Sequence, residues 1–226
     1  MMISIALDGP SGAGKSTLAK AMANKLGFLH VDTGAMYRAI GVAALRAGLD
    51  TTNADAITAL LPSVHIGLRF DAQGQRILLD DEDVSEAIRE PQASMAASNV
   101  SAIPAVRAFL LEQQRELARQ NNVIMDGRDI GTVVLPQATL KVFLTATPEA
   151  RAQRRYKELL EKGHCVTQEA VLEEVKLRDH NDSTRAAAPL RQADDAVLAD
   201  TTELNFEESL RLLLNIAAKR GIHSVL

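Results

Sequence analysis

The chain has 226 residues, the size of one mid-sized α/β domain with a small insert, and its 46% hydrophobic content is enough for a sizeable core. A net charge of −4, 3% aromatic residues and no Trp argue against a nucleic-acid partner, whether held by a basic surface or by base stacking. The lone Cys165 excludes an internal disulfide framework, and the first eight residues carry neither a basic region nor a long apolar run, so a cytoplasmic protein with no membrane partner is expected.

Ile3 to Leu7 is a short apolar run ending at Asp8 and a Gly-rich turn, as a buried parallel strand ends. A helix is expected from Lys15 to Leu26, closed by Gly27. Phe28 to Val31 reads as a second strand, and Asp32-Thr33-Gly34 opens a helix running to about Ala47, with Gly48 as its stop. Thr52 to Leu61 reads as a further helix. Val64 to Phe70 alternates apolar and polar residues, residues 71–75 form a turn, and Arg76 to Asp80 returns, so residues 62–85 are expected as a small antiparallel insert.

Pro91 to Ser101 and Pro104 to Ala118 look helical, each with Pro at its first turn. Val123 to Asp126, Leu140 to Leu144 and Ala196 to Leu198 read as strands. Thr147-Pro148-Glu149 starts one helix, Gln168 to about Asp179 forms another, and Asn205 to Glu208 caps the last. Strands alternating with helices predict an α/β fold with a doubly wound, five-stranded parallel sheet and helices on both faces.

Gly9-Pro10-Ser11-Gly12-Ala13-Gly14-Lys15-Ser16 meets the P-loop pattern at every fixed position, between a strand and a helix. Such glycines let successive N–H groups turn inward around an anion, and the following helix adds its own free N–H donors. Gly9, Ser11, Gly12, Ala13, Gly14, Lys15, Ser16 and Thr17 are therefore the candidate ATP site, with Lys15 toward the β- and γ-phosphates and Ser16 on Mg²⁺. Asp8 and Asp126 both end strands, and either suits support of the metal.

A P-loop alone permits switches, ATPases and kinases. No Asn-Lys-x-Asp guanine-reading motif is present, and Arg outnumbers Lys 17 to 8, which leans toward anion recognition. Arg178, Asp182 and Arg185 stand at i, i+4 and i+7, and would share one face of a persisting helix; Arg151, Arg154 and Arg155 share another.

The sequence resembles the bacterial cytidylate (CMP) kinases of the nucleoside monophosphate kinase group. The resemblance rests on the Gly-rich loop at 9–16, Asp-Thr-Gly-Ala-Met-Tyr-Arg at 32–38, Asp-Gly-Arg-Asp-Ile-Gly-Thr-Val-Val at 126–134, Arg178-Asp179 through Asp182 to Arg185, and Pro189-Leu190. It covers nearly the whole chain, with Thr33 where Ser is common. It implies ATP-dependent, Mg²⁺-assisted phosphorylation of CMP and dCMP by a monomer. It also implies a core (1–31, 102–147, 186–226), a monophosphate-binding region with the insert (32–101) and an arginine-bearing helical lid (148–185).

By the same resemblance, Thr33, Tyr37, Arg38, Arg128 and Arg185 would bind the acceptor, the three arginines on its phosphate. Arg178 and Asp182 would hold the sugar, and Ser98, Arg107 and Asp129 would read the base. Arg151, Arg154 and Arg155 would close over ATP, with Lys15, Arg151, Arg155 and Arg185 acting in transfer. Taken alone, the same residues also allow surface ion pairs, a kinase of UMP, AMP or a metabolite hydroxyl, or a nucleotide-dependent switch.

Overall fold

The computed structural model describes residues 2–71, 74–161 and 163–224. By its internal packing the chain forms two units, one of residues 1–29 and 121–226, the other of residues 30–120. Helix α5 therefore packs with the insert segment.

Among the described residues, eight strands and eight α-helices follow in chain order: β1 (Ser4–Asp8), α1 (Lys15–Leu26), β2 (Leu29–Asp32), α2 (Thr33–Arg46), α3 (Ala54–Leu60), β3 (Ile66–Asp71), β4 (Gly74–Leu79), β5 (Glu82–Asp83), α4 (Pro91–Ser101), α5 (Pro104–Gln120), β6 (Val123–Gly127), β7 (Leu140–Thr145), α6 (Pro148–Glu161), α7 (Gln168–Thr184), β8 (Val197–Asp200) and α8 (Phe206–Lys219). The expected five-stranded parallel sheet is present, flanked by helices, in the order β2-β6-β1-β7-β8.

In the first unit, Ile5, Leu7, Ile124, Leu140 and Val142 of the sheet pack on Leu18, Met22 and Leu26 of α1 and on Leu210 and Leu213 of α8. β6 is buried along its whole length, which is why it opens on a continuous apolar run, Val123-Ile124-Met125, rather than an alternating one, before ending at Asp126 and Gly127. Residue Asp8 pairs with Gly127 across β1 and β6, and with Phe143 across β1 and β7. The loops after β1, β6 and β7 thus leave the sheet side by side at its carboxyl edge, where open α/β sheets bind ligands. Asn205 and Glu208 exchange the reciprocal hydrogen bonds expected of a capping box at α8.

The second unit has its own core, with Met36, Ile40, Ile57, Ile77, Val100 and Leu110 at or near zero exposure. The Asp32 carboxylate accepts from the Ala35 N–H and starts α2, as the sequence leads one to expect. The insert is antiparallel, with Ile66 opposite Leu79 and Asp71 opposite Gly74; two residues of its expected turn, Ala72 and Gln73, lie outside the described residues. It also holds a third strand, β5, too short to show a sequence period.

α7 runs to Thr184, beyond the expected end near Asp179. Helices α6 and α7 share a small apolar cluster of Ala152, Leu159, Val171 and Val175. Among the described residues, no single helix is long and apolar enough to cross a membrane.

Candidate functional site

The Gly-rich turn is shaped by close approach. Gly9 has φ 150°, and a Cβ there would stand 2.0 Å from the carbonyl oxygen of Leu144. No side chain fits between β1 and β7 at that point, so the turn leaves the sheet immediately after Asp8. Gly14, left-handed at φ 86°, is the N-cap of α1 and supplies no side-chain cap. The first N–H groups of α1 are left for a ligand, with the positive end of the helix dipole behind them.

Lys15 lies in this turn, 5% exposed, and its Nζ donates to the Pro10 carbonyl at 2.7 Å. Burial, then the nearby Arg128 guanidinium, push its ammonium well below the ordinary lysine value, while Asp126 and Asp182 pull the other way. An arriving polyphosphate would supply the counter-charge that favours the ammonium form.

The two strand-end acids separate in role. Ser16 Oγ donates to Asp126 Oδ2 at 2.6 Å, so Asp126 faces the P-loop hydroxyl. Asp8 instead accepts from the N–H groups of Ile130 and Gly131, both at 2.7 Å. Burial, the largest influence, raises its pKa to about 6; Asp129 pushes the same way, and the two N–H donors and Lys15 oppose it. Ser16 and Asp126 offer hard oxygen donors of the kind Mg²⁺ takes, with phosphate oxygens completing its shell. The residues present fit that ion. Among the described residues, no cluster of three His, Cys, Asp or Glu forms a protein-only metal cage.

Beside the P-loop, the turn after β6 and the end of α7 bring together five of the sequence-predicted residues. Arg128 Nε donates to Asp182 Oδ2 at 2.8 Å, and Arg185 Nη2 lies 3.6 Å from Asp129 Oδ1. Burial works against the Asp182 carboxylate, but Arg128, Arg178 and Arg185 more than offset it and hold its pKa below the ordinary value. α7 carries Arg178 within its expected span and Asp182 on its extension, while Arg185 stands at its C-cap. There the Arg185 Nε donates to the Ala188 carbonyl, whose residue is left-handed at φ 48°, and Leu190 N–H returns to the Asp182 carbonyl. The Pro189-Leu190 motif thus closes the turn that positions Arg185.

The basic helix face of α6 is divided. Arg151 is 3% exposed and bonded to the carbonyls of Ala146 and Ser11 and to Asp179. Arg154 donates to the Thr201 and Leu204 carbonyls. Arg155 is more exposed and pairs with Glu158. Asp179 is the functional candidate that sequence reasoning assigned no role, and its partner is 28 residues away, beyond any local pattern.

In the second unit, Arg38 Nη2 donates to Asp32 Oδ2 at 2.8 Å. Thr33 and Tyr37 are buried on α2, Arg107 stacks 5.6 Å from the Tyr37 ring centroid, and Ser98 is half-buried on α4. Burial opposes ionisation of Asp32, but Arg38, His30 and the Ala35 N–H together leave its pKa lowered. The side-chain amide oxygen of Gln75 in the insert accepts from the Asp32 N–H, a contact that nothing in the sequence signals.

Comparison with known proteins adds sequence and fold likeness to this geometry. Residues 5–219 match the family model described as cytidylate kinase. The chain is 52% identical over 217 residues to the cytidylate kinase of Caldicellulosiruptor saccharolyticus, covering 96% of each chain. It is 50% identical over 217 residues to that of Carboxydothermus hydrogenoformans, covering 96% of this chain and 98% of the other. A solved structure of an uncharacterized protein from Eubacterium ventriosum shares the fold at a TM-score of 0.51 and 12% identity, covering 97% and 99% of the two chains.

Proposed function

The chain belongs to the cytidylate kinase family and is a phosphotransferase that phosphorylates CMP and dCMP from ATP; we propose that the P-loop and the turn after β6 are its donor and acceptor sites. The observation that carries this reading is the Ser16–Asp126 hydrogen bond standing beside the Arg128–Asp182 and Arg185–Asp129 pairs. One sheet edge then carries both a polyphosphate cradle and a clamp for a second anion.

Phosphoryl transfer depends on positioning and on neutralising spread charge. The backbone N–H groups of residues 11–16, with Thr17 behind them, hold the ATP phosphates, and Lys15 follows the transferring group. Ser16, with Asp126 in support, would hold Mg²⁺, which would supply charge neutralisation for the phosphates. The CMP phosphate is already largely ionised at neutral pH, its second pKa being about 6, so no general base is assigned.

Arg128 and Arg185 grip the acceptor phosphate, Arg178 and Asp182 hold its sugar, and Asp129 reads the cytosine amino group. Thr33, Tyr37, Arg38, Ser98 and Arg107 are assigned to the acceptor as well. In this assignment residues 32–101 serve the acceptor and 148–185 act as lid. Arg155, more exposed than Arg151, acts on the phosphoryl group; Arg151, bonded to the Ser11 carbonyl, and Arg154 are assigned to the donor site. The same reading takes the chain as a cytoplasmic monomer working on small molecules.

The test is ADP release with CMP, dCMP, UMP and AMP as acceptors. CMP and dCMP are expected to be best. Equal turnover of AMP would remove the base-reading role of Asp129.

A further inference from the structure

We propose that Arg151 and Asp179 form a latch coupling occupancy of the phosphate loop to the placement of the acceptor-facing end of α7, with Asp179 as a positioning residue. The inference rests on the assignment above of the α7 residues to the acceptor.

Every nitrogen of the Arg151 guanidinium is engaged by this chain. Nε donates to the Ala146 carbonyl at 2.8 Å, and Nη1 to the Ser11 carbonyl at 2.8 Å and to Asp179 Oδ1 at 3.0 Å. Nη2 donates to Asp179 Oδ2 at 2.5 Å, completing a two-pronged ion pair. The arginine side chain is 3% exposed and the aspartate 25% exposed, so water competes weakly for the pair. A Cβ built on Gly12 would lie 3.4 Å from the Arg151 Cβ, which places the side chain directly against the loop.

The Ser11 carbonyl belongs to the same peptide group as the Gly12 N–H, one of the P-loop donors that cradle phosphate. A phosphate accepting from that N–H polarises the carbonyl and strengthens its bond to Arg151, because linked hydrogen bonds reinforce one another. Asp179 receives the other side of the guanidinium. It precedes Asp182 by less than one helical turn and directly follows Arg178, so a tighter latch moves or stiffens the segment bearing both. The sign follows: a filled donor loop favours acceptor binding, and by linkage the acceptor favours ATP to the same extent.

The experiment measures the dissociation constant of CMP for the full chain by calorimetry, with and without a saturating β,γ-imido analogue of ATP and Mg²⁺. In the wild type the analogue is expected to tighten CMP by about fivefold or more, the lower end of ordinary allosteric coupling. Asp179→Asn is expected to bring this factor close to 1, Arg151→Lys to do the same, and the double variant to lose nothing further. A residue that only supports the fold would lower the melting temperature and weaken both ligands while leaving the factor unchanged. An undiminished factor in the folded single variants, or a wild-type factor of 1, overturns the latch. Should Asp179→Asn fail to fold, Arg151→Lys, which keeps the charge, decides the matter alone. A wild type that binds another monophosphate in place of CMP overturns the acceptor reading instead, and the factor is then measured with that acceptor.

Discussion

The Ser16 hydroxyl and the Asp126 carboxylate, 110 residues apart, meet at 2.6 Å because β1 and β6 run parallel and in register to the same edge. This juxtaposition makes the pair proposed to support the metal an outcome of strand pairing. Asp126→Ala is expected to lower kcat by about 10²-fold or more, as loss of one preorganised electrostatic group does. It should also shift the Mg²⁺ concentration that gives half-maximal rate upward. Steady-state rates across a Mg²⁺ titration check both, and an unchanged Mg²⁺ dependence would move the metal role elsewhere.

Lys15 is buried with its ammonium disfavoured by burial and by Arg128. Lys15→Ala should therefore relieve a strained charge in the free protein while removing the contact proposed for it with the transferring group. The melting temperature is expected to hold or rise, and kcat to fall by about 10²- to 10³-fold. A thermal melt beside a rate measurement separates the two effects. A large loss of stability without loss of rate would make Lys15 a structural residue.

Asp129 is 4% exposed and faces Arg185 at 3.6 Å. If it accepts from the cytosine amino group, Asp129→Ala should compress the preference for CMP over UMP by about 10-fold or more, since a lost polar match leaves a buried group unpaired. Competition between the two acceptors reads this ratio directly. An unchanged ratio would reduce Asp129 to the counter-ion of Arg185.

Asp8 and Asp182 bear on the pH dependence of stability in opposite senses. The pKa of Asp8 is raised to about 6, so its neutral form is the one the fold favours. Its contribution is fully present below the unfolded value near 4 and is lost as pH rises through about 6. The unfolding free energy of the wild type minus that of Asp8→Asn is thus expected to fall between pH 4 and pH 6, by on the order of 3 kcal/mol. Asp182 has a lowered pKa, so its contribution stands above about pH 4 and is lost as pH falls through the depressed value. Urea unfolding at several pH values checks both. A flat difference for Asp8→Asn would mean that the two N–H donors outweigh burial.

Breaking the Arg128–Asp182 pair gives a separate test. Arg128→Met leaves a buried carboxylate with Arg178 and Arg185 as remaining neighbours, and should cost about 2 kcal/mol, less than the 3–5 kcal/mol of a fully unpaired buried charge. Chemical denaturation at neutral pH measures it. The KM for CMP should rise as well.

Much of this protein is legible from local sequence. The glycines of residues 9–14, the Asp32 and Asn205 caps and the apolar runs of β1, β6 and β7 each act on neighbours a few residues away, and each appears where its sequence leads one to expect. The motif resemblance carried the candidate residues further than periodicity could. α7 ran longer than expected because Arg128 reaches Asp182 and the chain after Ala188 folds back on its last turn, contacts absent from the helix's own composition.

What only the folded chain decided is which of several chemically equal groups meet. Asp8 and Asp126 are both strand-end acids, and parallel pairing sends one to two backbone N–H groups and the other to Ser16. Arg151, Arg154 and Arg155 share one helix face in sequence, but burial against Ser11, Thr201 and solvent gives each a different partner. Side-chain type and spacing set what each group can do within a turn or two of helix. Strand register and side-chain burial, summed over contacts more than a hundred residues apart, choose which of them meet at the carboxyl edge of the sheet.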